Sequence, residues 1–258
     1  AKNGLAQRKE ANARRILAKQ GDWDIYGDDA MLHLYFKQDI ERANEALLRV
    51  ARWYELPHPT GRDHRGEVDF AAIRLVRALY QSHDLLTEPV REAVKRFYLT
   101  QDFSSMHGSE NHSLLFFVSR YLAAQFYAGE TFCQYGKTAQ ELLDEDRAYL
   151  REFIRFRAQR GWGEFESCGY GAEVLLAMET LYDFCADEKL KHMAHMMIDL
   201  MLMDMAEDCL DGGLLGGAHG RIYEPAAMDN LGSPLFSYYV LYFGGRYASE
   251  KEIGRAHV

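Results

Sequence analysis

The stretch MHGSENHSLLFFVSRYLAAQFYAGETF, Met106–Phe132, decides how this chain is read. From Ser113 onward it is apolar on nearly every side at helical spacing, so the helix it forms must be buried all round. Directly before it stand Ser109, Glu110, Asn111 and His112. Ser109 is a favoured N-cap residue, and Glu110 in a first turn suits the positive end of the helix dipole. Those two explain themselves as a helix start. Asn111 and His112 do not, because neither is favoured inside a helix, and His112 opens the face that becomes apolar.

Helical periodicity continues outward in both directions. Residues 39–55 carry a stripe of Ile40, Ala43, Leu47, Val50, Ala51 and Tyr54. Residues 69–83 repeat it with Phe70, Ile73, Val76, Leu79 and Tyr80. In 87–99 Thr87 is placed to cap and Pro89 to open a first turn. Thr138-Ala139-Gln140-Glu141 reads as a capping box, starting a helix to about Arg160 with Leu143, Leu150, Phe153 and Ile154 inward. Further helices are predicted at 171–188, 189–208 and 233–243. Alternating β-branched runs and hairpin turns are scarce, and Asp211-Gly212 reads as a helix end. The fold class is all-α.

Short connections between long helices imply antiparallel helical hairpins. Fully apolar helices at 113–128 and 172–186 alternate with one-faced helices such as 139–160. An inner and an outer ring would need that alternation, so we expect an α/α barrel or an incomplete α/α toroid. The chain reads as one domain over 1–258: an N-terminal helix and extension to 37, a hairpin core over 38–245 and a polar tail over 246–258. No strict repeat marks a solenoid.

Composition bounds the function. The 258 residues are 48% hydrophobic and 13% aromatic, enough for a substantial core. A net charge of −9 disfavours nucleic-acid backbones, so no nucleic-acid partner is expected. No apolar run is long enough to span a bilayer. Cys133, Cys168, Cys185 and Cys209 lack a Cys-x-x-Cys pair and read as buried free thiols. His192, His195 and Asp199 share a helix face but match its solvated stripe, and the six methionines between Met193 and Met205 read as adaptable core filling. Neither a metal nor a cofactor is expected.

Three Gly-rich polar segments each precede an inner-type helix: 107–112, 161–173 and 211–225. If the inner helices run parallel, these segments meet at one end, placing polar groups over an apolar floor. The second offers Trp162, Phe165 and Tyr170 as a wall for sugar rings, with Glu164 and Glu166 beside it. In the third, His219, Arg221 and Tyr223 alternate, and an extended segment would point them to one side. An arginine there suits a carboxylate, which it binds through two parallel hydrogen bonds.

Asn111-His112 at an inner helix start, then a Gly/aromatic loop with Tyr170, then His219-x-Arg221-x-Tyr223, resembles the α/α-toroid polysaccharide lyases of the heparinase II and alginate lyase groups. Glu110 stands where that family commonly has a second Asn. The resemblance implies β-elimination on an acidic oligo- or polysaccharide, in a periplasmic or extracellular setting. It assigns Asn111 to neutralising the uronate carboxylate, His112 to the role of base or carboxylate partner, and Tyr170 or Tyr223 to that of proton donor. Glu110, Trp162, Glu166, His219 and Arg221 would complete the substrate site. The alternatives are a glycoside hydrolase pairing Glu110 with Glu166 or Glu164, or a noncatalytic helical domain that binds a glycan or a protein.

Overall fold

A computed structural model describes residues 2–18, 21–56, 66–104, 108–164, 167, 169–210, 214–215 and 234–244, and over these residues the protein is all-α. Its helices are α1 (Lys2–Leu17), α2 (Asp28–Tyr35), α3 (Ile40–Ala51), α4 (Val68–Ser82), α5 (Glu88–Thr100), α6 (Glu110–Phe126), α7 (Ala139–Arg160), α8 (Tyr170–Phe184), α9 (Glu188–Asp208) and α10 (Pro234–Phe243). Two antiparallel ladders of two-residue strands punctuate them. Thr131–Phe132 pairs with Lys137–Thr138, and Cys209–Leu210 pairs with Leu214–Leu215. The second ladder lies where the sequence suggested only a helix end, and residues 211–213 between its strands fall outside the described set.

The sequence pattern dictates two kinds of helix. α3 and α5 each bury one stripe, Ala43, Ala46, Leu47 and Val50 in the first, Val90, Val94, Phe97 and Tyr98 in the second. α4, α6 and α8 are buried on several sides. This was expected of α6 and α8 but not of α4, whose charged Asp69 and Arg74 are buried with its apolar positions. The even-numbered helices touch in succession from α2 to α10, α3 packs on α5, α7 packs on α9, and α1 touches both α2 and α10. One continuous cluster of buried side chains runs from Ala30 in α2 to Leu235 in α10. Gly171 permits the last contact, because a Cβ there would stand 3.1 Å from a Leu235 methyl.

Helix ends are fixed locally. The α7 capping box is complete: Thr138 Oγ1 accepts from the Glu141 N–H at 3.3 Å, and the Glu141 carboxylate accepts from the Thr138 N–H at 2.8 Å. Gly161 ends α7 at φ 71°, a conformation that favours glycine. Thr87 and Ser109 occupy N-cap positions with extended backbone, yet neither side chain caps. Along α7 the buried residues include Leu142, Leu150 and Ile154, while Leu143 and Phe153 are half-buried. Cys185 is buried as expected, but Cys133 is exposed in the turn after α6. No helix of the described residues is long and apolar enough to cross a membrane.

Between α6 and α7, Arg120 holds Asp146 through Nε at 2.9 Å and Nη2 at 2.5 Å, under the rings of Phe116, Phe117 and Tyr135. Both side chains are buried, so removing one partner strands the other's charge. Asp146→Ala is expected to lower unfolding free energy by about 3–5 kcal/mol, measured by urea denaturation.

Candidate functional site

The first turns of α2, α4, α6 and α8 lie at one end of the helical layer. Their side chains bond directly to one another. Asp24 prepares this end by accepting N–H bonds from Tyr26, Gly27, Asp28 and Asp29 at 2.7–3.1 Å, which fixes the start of α2. Arg74, one turn into α4 and 4% exposed, reaches between two neighbours. Its Nε donates to Asp28 of α2 at 2.9 Å, and its Nη1 and Nη2 donate to Glu173 of α8 at 2.7 and 2.8 Å. The guanidinium carbon lies 5.7 Å from the Tyr26 ring centre, and the Tyr26 hydroxyl donates to Glu67 at 2.7 Å.

A cavity of about 410 Å³ opens at this cluster, lined by Tyr26, Asp28, Arg74 and Glu173, with Leu176 and Tyr238 behind them. Its polar groups are mainly acidic. Burial pushes the Asp28 carboxyl up to about 7, with Asp24 and Glu173 adding to the effect against the pull of Arg74. Arg74 itself stays charged, its acidic partners outweighing burial.

One step around the layer, His112 of α6 meets Asp69 of α4, Nδ1 to Oδ2, at 2.6 Å. Asp69 is fully buried and His112 nearly so, with its ring 5.0 Å from that of Phe70. Burial pushes the Asp69 carboxyl up, while the bond to His112 opposes the shift. A carboxylate at Nδ1 fixes ring orientation and favours the tautomer with Nδ1–H, which makes Nε2 the basic nitrogen. Beside it Asn111 is 1% exposed. Its side-chain oxygen accepts from the Ser109 hydroxyl, and its Nδ2 finds no acceptor among the described residues. Ser109 therefore positions Asn111 instead of capping the helix.

Glu110 has a different role in this arrangement. Its carboxylate accepts from the Gly163 N–H at 3.0 Å and the Glu164 N–H at 2.7 Å, and it pairs with Arg157 at 2.7 Å. It thereby ties the segment after α7 to the start of α6. Glu110, Trp162, Glu164 and Tyr170 line one narrow slot of about 30 Å³, floored by Val174, Met205 and Leu235. Trp162 leans on Phe153 and lies 5.7 Å from the Arg157 guanidinium carbon.

The structure thus brings Glu110, Asn111, His112, Trp162 and Tyr170 to the end of the layer that holds Arg74. Glu166, His219, Arg221 and Tyr223 lie outside the described residues. His195 and Asp199 are exposed, 3.8 Å apart, with His195 stacked on Tyr182. Asp28, Asp69, Arg74 and Glu173 escaped the sequence reading. The available signal was a charged residue embedded in an otherwise apolar run, as Arg74 is between Ile73 and Leu75. Comparison of the chain with protein-family models, curated proteins and solved structures found no match.

Asp28 gives this cluster a pH signature. The native state keeps its proton to about pH 7, whereas the unfolded chain releases it near the ordinary value of 3.8. That contribution is complete below about pH 4 and is lost as pH rises through 7, at up to about 1.4 kcal/mol per pH unit. Asp28→Asn should flatten the fall in stability between about pH 4 and pH 7 relative to the unmodified protein, read from urea midpoints across that range.

Proposed function

We propose that the protein is a carbohydrate-active enzyme of the α/α-toroid type that cleaves a uronate-containing glycan by β-elimination at the end where α4, α6 and α8 begin. The observation that carries this reading is the Asp69–His112 contact of 2.6 Å, made beside the buried amide of Asn111. A base held in one tautomer next to an amide donor is the pair of functions that elimination requires.

In this reading Asn111 donates to the uronate carboxylate, lowering the cost of negative charge on the carbon beside it. His112 Nε2 takes the C5 proton, and the electron pair left behind forms the C4–C5 double bond as the C4–oxygen bond breaks. The leaving oxygen receives a proton from Tyr170 or Tyr223. His219 and Arg221 complete the carboxylate site. Glu110 acts by holding the 163–164 backbone against α6, which keeps Trp162 and Tyr170 around one slot.

Hydrolysis is the second reading, and the Arg74 cavity supports it with a carboxylate pair different from the one expected. The carboxylate of Glu110 is engaged by two backbone N–H groups and Arg157. Asp28 and Glu173 instead share one guanidinium on the wall of a ligand-sized cavity. An acid pushed to about 7 suits a proton donor to a glycosidic oxygen.

The two reactions leave different products. Elimination yields an unsaturated uronate that absorbs in the near ultraviolet; hydrolysis yields new reducing ends without it. Against a panel of uronate polymers we expect the absorbance to rise, and His112→Gln to lower kcat by about 10²–10⁴-fold. Reducing ends without absorbance, or an unchanged rate in His112→Gln, would reject elimination.

A further inference from the structure

The cavity at Arg74 is selective in which hydrogen-bonding groups it leaves free. Its carboxyl groups are those of Asp24, Asp28 and Glu173, and Arg74 is the one cation in its lining among the described residues. Arg74 has little left for an anion. Four of its five N–H groups are taken, one by Asp28, two by Glu173 and one by the Phe70 carbonyl. Asp24 is filled by the four backbone N–H groups at the start of α2, and the Tyr26 hydroxyl is turned to Glu67.

Asp28 is different. Its Oδ1 accepts from Arg74, but its Oδ2 accepts no hydrogen bond among the described residues. The side chain is only 9% exposed, and it stands on the cavity wall. A ligand seated here must therefore bring a donor. Charge gives that donor its sign, because three carboxyl groups face one guanidinium. Burial above all, with Asp24 and Glu173 adding to it, keeps a proton on Asp28 to about pH 7. An ammonium group at Oδ2 replaces that proton with no change in net charge. The space of about 410 Å³ is that of a small organic molecule, far larger than one ion needs. Among the described residues no His, Cys, Asp and Glu side chains are grouped to hold a metal ion. The remaining wall is apolar or aromatic, with Ile25, Leu176, Pro234 and the phenols of Tyr26 and Tyr238. Aliphatic groups there cover a hydrocarbon body, and phenol rings attract an organic cation.

We propose that this cavity binds a primary amine carried on an apolar or aromatic body, with its ammonium group donating to Asp28 Oδ2. The assignment stands on the Arg74 cluster and needs neither reaction at this end of the layer. Amine binding leaves Asp28 ionised, so it excludes the use of that carboxyl as a proton donor while the amine is bound.

Calorimetric titration of the full chain with phenethylamine tests the assignment, with 2-phenylethanol and 3-phenylpropionate as neutral and anionic counterparts of similar shape. At pH 7 phenethylamine should fill one site, the alcohol should bind at least about tenfold more weakly, and the acid should give no binding heat. Titrations in two buffers of different ionisation enthalpy should show release of about half a proton per amine at pH 7, rising toward one at pH 6, as affinity falls. Asp28→Asn, which keeps an acceptor for Arg74, should remove both the binding and the proton release. Leu176→Trp, which fills the space without altering the ion cluster, should also abolish binding. The proton count is read on the unmodified protein and depends on neither variant. Equal affinity for amine and alcohol, binding of the acid, or amine binding without proton release would overturn the assignment. So would amine binding that survives both substitutions, or no saturable heat up to about 10 mM amine.

Discussion

Arg74 is the constraint on which the rest of this architecture depends. A guanidinium buried in the helical layer is tolerable only where its charge and its N–H groups are matched, since an unpaired buried charge costs several kcal/mol. Here the match comes from two other helices, Asp28 of α2 and Glu173 of α8. The starts of α2 and α8 are thereby fixed against α4, and all three helices must present their first turns at the same end. That is why polar groups from distant parts of the sequence share one region. The bond from the Arg74 guanidinium to the Phe70 carbonyl, at 3.2 Å, anchors the same arginine to its own helix.

A buried ion cluster of this kind is weak evidence for stability, because well-packed apolar residues often do as well. Its consequence here is positional. Asp69 stands five residues before Arg74 on α4, and the Asp69–His112 contact orients α6 as the Arg74 contacts orient α2 and α8. Burial raises the Asp28 carboxyl, and the excess of negative charge left by two carboxylates on one guanidinium, with Asp24 nearby, adds to that shift.

Much of the fold was legible in the sequence, because helical periodicity and local capping are short-range signals. The Thr138–Glu141 box and the buried character of α6 and α8 are examples. Burial of Arg74 and Asp69 was not legible, because their partners stand 99 and 43 residues away, and a charged residue on a helix reads by default as solvated. The same default concealed the role of Glu110. Its dipole-favoured position was visible, but its bonds to Gly163 and Glu164 depend on how the segment after α7 returns. Asn111 and His112 stood out for a local reason, as polar residues at the head of a helix with no solvated face to receive them.

The central claim is that a uronate is held where α6 begins. A crystal structure of the His112→Gln protein soaked with a uronate tetrasaccharide addresses it most directly. The account predicts a sugar carboxylate within hydrogen-bond distance of Asn111 Nδ2, with the adjoining glycosidic oxygen facing Tyr170 or Tyr223. A tetrasaccharide lying only on the outer faces of α3, α5, α7 or α9, or absent from the end shared by α4, α6 and α8, would contradict it.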